Sequence, residues 1–159
     1  MRIAVSGDAP VDLGQVRRAV RAALRPYRLP RDTQLAIAFV DDAEMRRLNR
    51  AHRGKDRTTD VLSFGQELPP GAKGEAARGA LRRDVDGGLQ LGDLVISVAQ
   101  ARRQAKRGGR ALGREVAFLA AHGALHLLGY EDETPDGYRE MVRLGTAAVV
   151  NAPKGVRTL

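Results

Sequence analysis

Residues 122–132 read HGALHLLGYED. Two of the chain's three histidines, His122 and His126, stand four residues apart there, inside an apolar run. On a helix, positions i and i+4 project from one face, so both imidazoles reach toward one point. Their surroundings in sequence are Val116, Phe118, Leu119, Leu125, Leu127 and Leu128. A buried polar ring without a partner costs about 1–3 kcal/mol. One metal ion would satisfy both rings at once; the competing reading gives each ring a nearby backbone carbonyl. Two glycines bear on the choice. Gly123 sits mid-helix at a cost of about 1 kcal/mol against alanine, which makes sense if another backbone passes close. Gly129 ends the helix, and Tyr130, Glu131 and Asp132 follow, so a carboxylate can fold back toward the rings. Two histidines and one carboxylate leave a fourth tetrahedral position open, as catalytic zinc sites do.

Zinc peptidases of the helical HExxH type place a glutamate directly after the first histidine as general base. That position is Gly123. A small metallopeptidase would need Glu115, Glu131 or Glu133 in its stead.

Working outward, the chain has 159 residues, the size of one ordinary domain, and is 43% hydrophobic, enough for a core. Aromatics make up only 4%, with no Trp, so Leu, Val and Ala must fill that core. Cysteine is absent, which removes any disulfide partner and leaves metal binding to N and O donors. Lys and Arg outnumber Asp and Glu by 27 to 19, a net charge of +8. Such a surface attracts polyanions, nucleic acid foremost; the other reading is a basic proteome or a crowded ribosome-like environment. The opening MRIAVSGDAP is too short for a signal segment and no apolar run approaches a membrane span, so a cytoplasmic protein with no membrane partner is expected.

The patterning predicts strands at 2–6, 33–41, 58–65 and 90–98, the second nearly all apolar and hence central. Asp12 caps a helix running to about Tyr27, and Asp41 or Asp42 caps a short one, DAEMRRLNRAH. Further helices are predicted at 98–107, 111–128 and 135–150. Residues 67–88, rich in Gly, Pro and charge, read as a long mobile loop with a turn of helix at 75–83. The expectation is an α+β fold: a single domain over 1–150, a mixed four-stranded sheet packed with about five helices, and a frayed tail at 151–159.

The histidine segment resembles the HGxLHLxGYDH signature of the YbeY family of metal-dependent endoribonucleases. RLNRAHRGKDRTTDVLSF at 47–64 is similar to that family's LNxxYRGKDxPTDVLSF, and LGDLVIS at 91–97 to its LGDIxIS. The resemblance spans roughly residues 30–145. It implies a zincin-like fold, one Zn²⁺ ion and cleavage of single-stranded rRNA, in maturation of the 16S rRNA 3′ end and in ribosome quality control. The partners it implies are the ribosomal small subunit and its assembly factors. His122 and His126 fall on the first two metal ligands. The third family ligand, a histidine six residues after the second, is Asp132 here, and the aspartate before it is Glu131. A carboxylate is a competent third ligand that also admits Mn²⁺ or Fe²⁺. Other departures are His52, where the family often has an aromatic, and Thr58, where it often has proline.

By the same resemblance Arg53 matches the family's functional arginine. A guanidinium suits that role, since it holds a phosphoryl oxygen with bidentate geometry while charge builds on the phosphorus. Lys55 and Arg57 would contact flanking phosphates; the other reading makes them a solvated turn. The arginine-rich helices at 17–28 and 98–107 are candidate rRNA footprints or solvated faces. His52 reads as a helix-end residue, and Asp60 and Ser63 as cleft-lining or locally bonded groups. The rival to the nuclease is a non-catalytic ribosome-assembly module whose metal merely pins the last helix.

Overall fold

A computed structural model describes residues 1–151 of the chain, and most of the tail predicted at 151–159 lies outside them. The element order is β1 (Arg2–Ser6), α1 (Leu13–Leu24) with a 3₁₀ turn (Arg25–Tyr27), β2 (Thr33–Val40), α2 (Asp42–Arg53), β3 (Val61–Gly65), α3 (Glu75–Ala80), β4 (Leu89–Ser97), α4 (Val98–Arg107), α5 (Leu112–Leu127) and α6 (Pro135–Asn151). The four strands form one mixed sheet in the order β1-β2-β4-β3. β1, β2 and β4 run parallel, and β3 pairs antiparallel with β4 at the edge. The α+β expectation holds. The described residues contain six α-helices; the sixth is α3, a single short helix inside the predicted loop, which buries Ala77.

β2 is central, as expected, but only one of its faces is fully covered. Thr33, Leu35, Ile37 and Phe39 are buried, while Gln34 and its neighbours on the other face are exposed or half-buried. The covered face packs on α1 and α5 through Val16, Val20, Leu24, Val116, Leu119, Ala124 and Leu127. On the opposite face a smaller cluster joins Met45 of α2 to Leu62 and Val95. α5 is the central helix because almost none of its circumference is polar: Ala117, Ala121 and Leu125 meet α1's Ala19 and Ala23 and α6's Met141 and Ala148. Burying Leu125 or Met141 contributes about 1.5–3 kcal/mol each. This packing locks the histidine-bearing helix between the sheet and α6.

Two boundaries differ from the sequence reading. The first helix leaves α geometry after Leu24, because Pro26 lacks an amide donor, and Arg28 then turns left-handed at φ 48°. The third strand begins at Val61 rather than 58. Thr58 instead donates to Asp42 at 3.1 Å, and the Asp60 carboxylate takes the Val61 amide at 2.7 Å.

Candidate metal centre

α5 ends in a Schellman motif. The Gly129 amide donates to the His126 carbonyl at 3.0 Å and the Tyr130 amide to the Leu125 carbonyl at 3.3 Å, with Gly129 at φ 81°. A side chain at Gly129 would meet the Ala72 carbonyl oxygen at 2.0 Å, so the 67–88 segment braces this turn. The Gly74 amide donates to the Leu128 carbonyl at 2.8 Å, and Lys73 pairs with Glu140 of α6 at 2.8 Å. The Tyr27 and Tyr130 hydroxyls also bond one another. The chain therefore doubles back and carries Asp132 over the end of the helix.

The result is a triangle of donor atoms. His126 Nε2 lies 3.1 Å from His122 Nε2, and Asp132 Oδ2 lies 3.2 Å from His122 Nε2 and 3.4 Å from His126 Nε2. Ligands about 2.0–2.1 Å from a tetrahedral metal stand about 3.3–3.4 Å from one another, so the three atoms have the spacing such an ion requires. Together they could hold a metal ion. The protonation states fit as well. His126 Nδ1 contacts the Tyr130 carbonyl at 2.9 Å. A carbonyl only accepts, so the proton sits on Nδ1 and the Nε2 lone pair faces the triangle. His122 is held below the usual imidazole pKa, chiefly because burial strips water from its cation, and secondarily because His126 repels it; Asp132 opposes both. Neutral imidazole is the ligating form. Its Nδ1 is buried with no partner among the described residues.

Glu131 is committed elsewhere. Its carboxylate accepts from the Glu133 and Thr134 amides and the Thr134 hydroxyl at 2.6–3.0 Å, fixing the entry to α6. Gly123 corrects the sequence reading in its reason. The close approach there is by side chains: a Cβ would stand 2.9 Å from Leu94 Cδ2 and 3.2 Å from Val61 Cγ2 and Ser63 Oγ. Ser63 also donates to the Gly123 carbonyl at 3.1 Å.

The triangle opens into a cleft of about 1090 Å³. Arg53, Lys55 and Arg57 line it. Gly54 at φ 68° ends α2, and buried Asn49 holds the turn by donating to the Arg57 carbonyl at 2.9 Å. No described acidic side chain pairs with these three cations. Asp60 and Ser63 also line the cleft, while His52 lies outside it with its ring edge on Phe64 at 4.9 Å between centroids. Of the two arginine-rich helices, α4 contributes Arg107 to the cleft and α1 contributes nothing. Sequence reading passed over Arg110, Arg114 and Tyr138, which also line the cleft. Glu115, the one acid in the apolar α5, lines the cleft as well.

A metal-site cleft with an uncommitted cationic wall, on this α+β frame, marks a metallohydrolase-type protein whose substrate is anionic. Comparison with known proteins then places the chain. A family model described as Endoribonuclease YbeY matches residues 9–151, and the chain belongs to that family. It is 42% identical over 138 residues to the endoribonuclease YbeY of Moorella thermoacetica, covering 84% of each chain. It is likewise 42% identical to that of Pelotomaculum thermopropionicum over 87% of each chain. The solution structure of TM1509 from Thermotoga maritima shares the fold at a TM-score of 0.55 and 21% identity, over 92% of this chain and 88% of that one. No described helix is long and apolar enough to cross a membrane.

Proposed function

We propose that this chain is a metal-dependent endoribonuclease that cleaves single-stranded rRNA, in small-subunit maturation and quality control, in the cytoplasm, and that residues 1–150 act as one catalytic domain. The observation that carries the reading is the His122–His126–Asp132 triangle in a cleft also lined by Arg53, Lys55 and Arg57, which have no acidic partner among the described residues. His122, His126 and Asp132 would hold one Zn²⁺, and the carboxylate also admits Mn²⁺ or Fe²⁺. The ion supplies Lewis acidity toward a phosphodiester.

The chain's own groups supply the rest. The Tyr130 carbonyl holds a proton of His126 on Nδ1, which leaves Nε2 as the ligating nitrogen, and burial disfavours the charged form of His122, the direction that metal binding requires. Arg53, at the end of a capped helix, offers a planar fork to a non-bridging phosphoryl oxygen as charge builds on it. Lys55 and Arg57 hold flanking phosphates and register the strand without reading bases. The small ribosomal subunit and its assembly factors are the partners this substrate implies. Gly123, wedged against Leu94, leaves no room for the base of a metallopeptidase.

The test is cleavage of a single-stranded RNA by the wild-type protein, Arg53→Ala and Lys55→Ala. We expect Arg53→Ala to lose about 100-fold or more in turnover and Lys55→Ala to weaken binding with turnover nearly intact. Equal turnover in wild type and Arg53→Ala overturns the role given to Arg53.

A further inference from the structure

Arg110 lies in the same cleft as the donor triangle, on the short link between α4 and α5, and it is fixed at both ends. Its amide donates to the Ala105 carbonyl at 2.8 Å and the Gly109 amide to Lys106 at 3.3 Å, with Gly109 at φ 63°. That is a second Schellman motif, and it sets the Arg110 backbone. At the other end, Arg110 Nε donates to Glu115 Oε2 at 2.8 Å. Glu115 is 5% exposed, the one charged residue buried in α5, whereas the arginine side chain is 44% exposed. The guanidinium sits against Gly108, where a Cβ would stand 2.1 Å from Nη1 and 2.5 Å from Cζ.

A guanidinium has five N–H donors in a rigid fork. Glu115 takes the one on Nε. The four on Nη1 and Nη2 have no hydrogen-bond partner among the described residues. The bridge to Glu115 thus engages Nε and leaves the Nη1 and Nη2 donors without a protein partner, in a residue that lines the cleft. Glu115 lies seven residues before His122 on α5, about 10 Å along the helix axis and on the same face. Arg110 is thereby tied, through Glu115, to the helix face that carries the two histidines, on the wall of the same cleft.

We infer that Arg110, oriented by Glu115, is a second phosphate-binding guanidinium that grips the RNA backbone through its Nη1–Nη2 edge, on a different element from Arg53. The inference rests on the endoribonuclease reading. Glu115 is a positioning residue: it holds the fork so that little rotamer freedom is lost on binding.

Gly108→Ala is the sharpest test. Its backbone conformation, φ −87°, suits alanine, and the added methyl displaces only the end of a flexible side chain, at constant charge. Arg110→Lys keeps the charge and loses the fork, and Arg110→Gln removes both. Binding of a single-stranded 2′-O-methyl RNA oligonucleotide, which keeps the phosphate backbone and is chosen to resist cleavage, to the zinc-loaded protein is read by fluorescence anisotropy across salt, with a gel confirming that the oligonucleotide stays intact. Zinc content and melting temperature are measured on every variant. We expect Gly108→Ala and Arg110→Lys each to bind about tenfold more weakly, with zinc content unchanged and with Arg110→Lys, which keeps a cation beside buried Glu115, melting near wild type. Arg110→Gln should also lower the salt slope of log affinity by about 0.7. Wild-type affinity in both Gly108→Ala and Arg110→Lys overturns the inference while leaving the endoribonuclease reading in place. Weaker binding that merely tracks a fall in melting temperature overturns it too, since the pair is then structural. No binding by the wild-type protein overturns both.

Discussion

His126 Nδ1 and the Tyr130 carbonyl oxygen stand 2.9 Å apart across the end of α5. This one bond links the turn that stops the helix to the chemistry of the ring inside it. It exists because Gly129 reverses the chain, and the same reversal delivers Asp132 to both imidazoles. Gly129→Ala should therefore be worse than its size suggests. The left-handed backbone and the 2.0 Å approach of the Ala72 carbonyl predict a loss of about 2 kcal/mol or more in urea denaturation, with weaker zinc binding. An unchanged midpoint would mean that the turn relaxes freely.

In the proposed site Asp132 stands where the family resemblance implies a third imidazole. Asp132→Ala should weaken zinc binding by more than about 100-fold, beyond what loss of an outer-shell partner does. Glu131→Gln should leave zinc affinity near wild type, because the Glu131 carboxylate is spent on the Thr134 hydroxyl and the Glu133 and Thr134 amides. Competition against a fluorescent zinc chelator measures both; reversed effects would exchange the two roles.

At Gly123 helix propensity and packing pull in opposite directions. Alanine gains about 1 kcal/mol of helix propensity, yet its methyl would press on Leu94, Val61 and Ser63 at 2.9–3.2 Å, and overpacking costs about 1–3 kcal/mol. Gly123→Ala should be net destabilising by about 1 kcal/mol in chemical denaturation. Stabilisation would show that the sheet side yields.

Asp42 gives a pH signature away from the cleft. Hydrogen bonds from Arg103 at 2.8 and 2.9 Å, with support from Thr58 and Ser97 at 3.1 Å, hold its carboxyl at about 2, against an ordinary value of 3.8. A pKa lowered by folding stabilises the protein above the unfolded value, and that stability is lost as pH falls through the folded value. Wild type should exceed Asp42→Asn by about 1 kcal/mol at neutral pH, allowing for solvent screening of a partly exposed group. The gap should close between pH 3.8 and about 2. A gap that persists at pH 2 would trace the effect to geometry instead of charge.

Much of this was legible in the chain. α5 announced itself because its 16 residues are mostly apolar, and β2 because residues 35–40 form one unbroken apolar run, as a central strand does. The histidine pair was readable because i and i+4 share a helix face whatever the fold. What the sequence could not reveal depends on distant partners. The start of β3 is set by Asp42 and Asp60 reaching other elements, and α3 forms where Ala77 finds the core. The crowding at Gly123 comes from strands some thirty to sixty positions away. Arg110 looked like any charge after a glycine pair; only the fold shows that its partner, Glu115, is buried.

The central claim is that one metal at His122, His126 and Asp132 makes this chain a ribonuclease, and single-stranded RNA cleavage by zinc-loaded wild type and His126→Ala, each before and after chelation, tests it most directly. Cleavage by the wild type should be abolished by chelation and restored by added zinc, and the His126→Ala protein should stay folded and inactive throughout. Equal cleavage by the two proteins, unaffected by chelation, would contradict that claim.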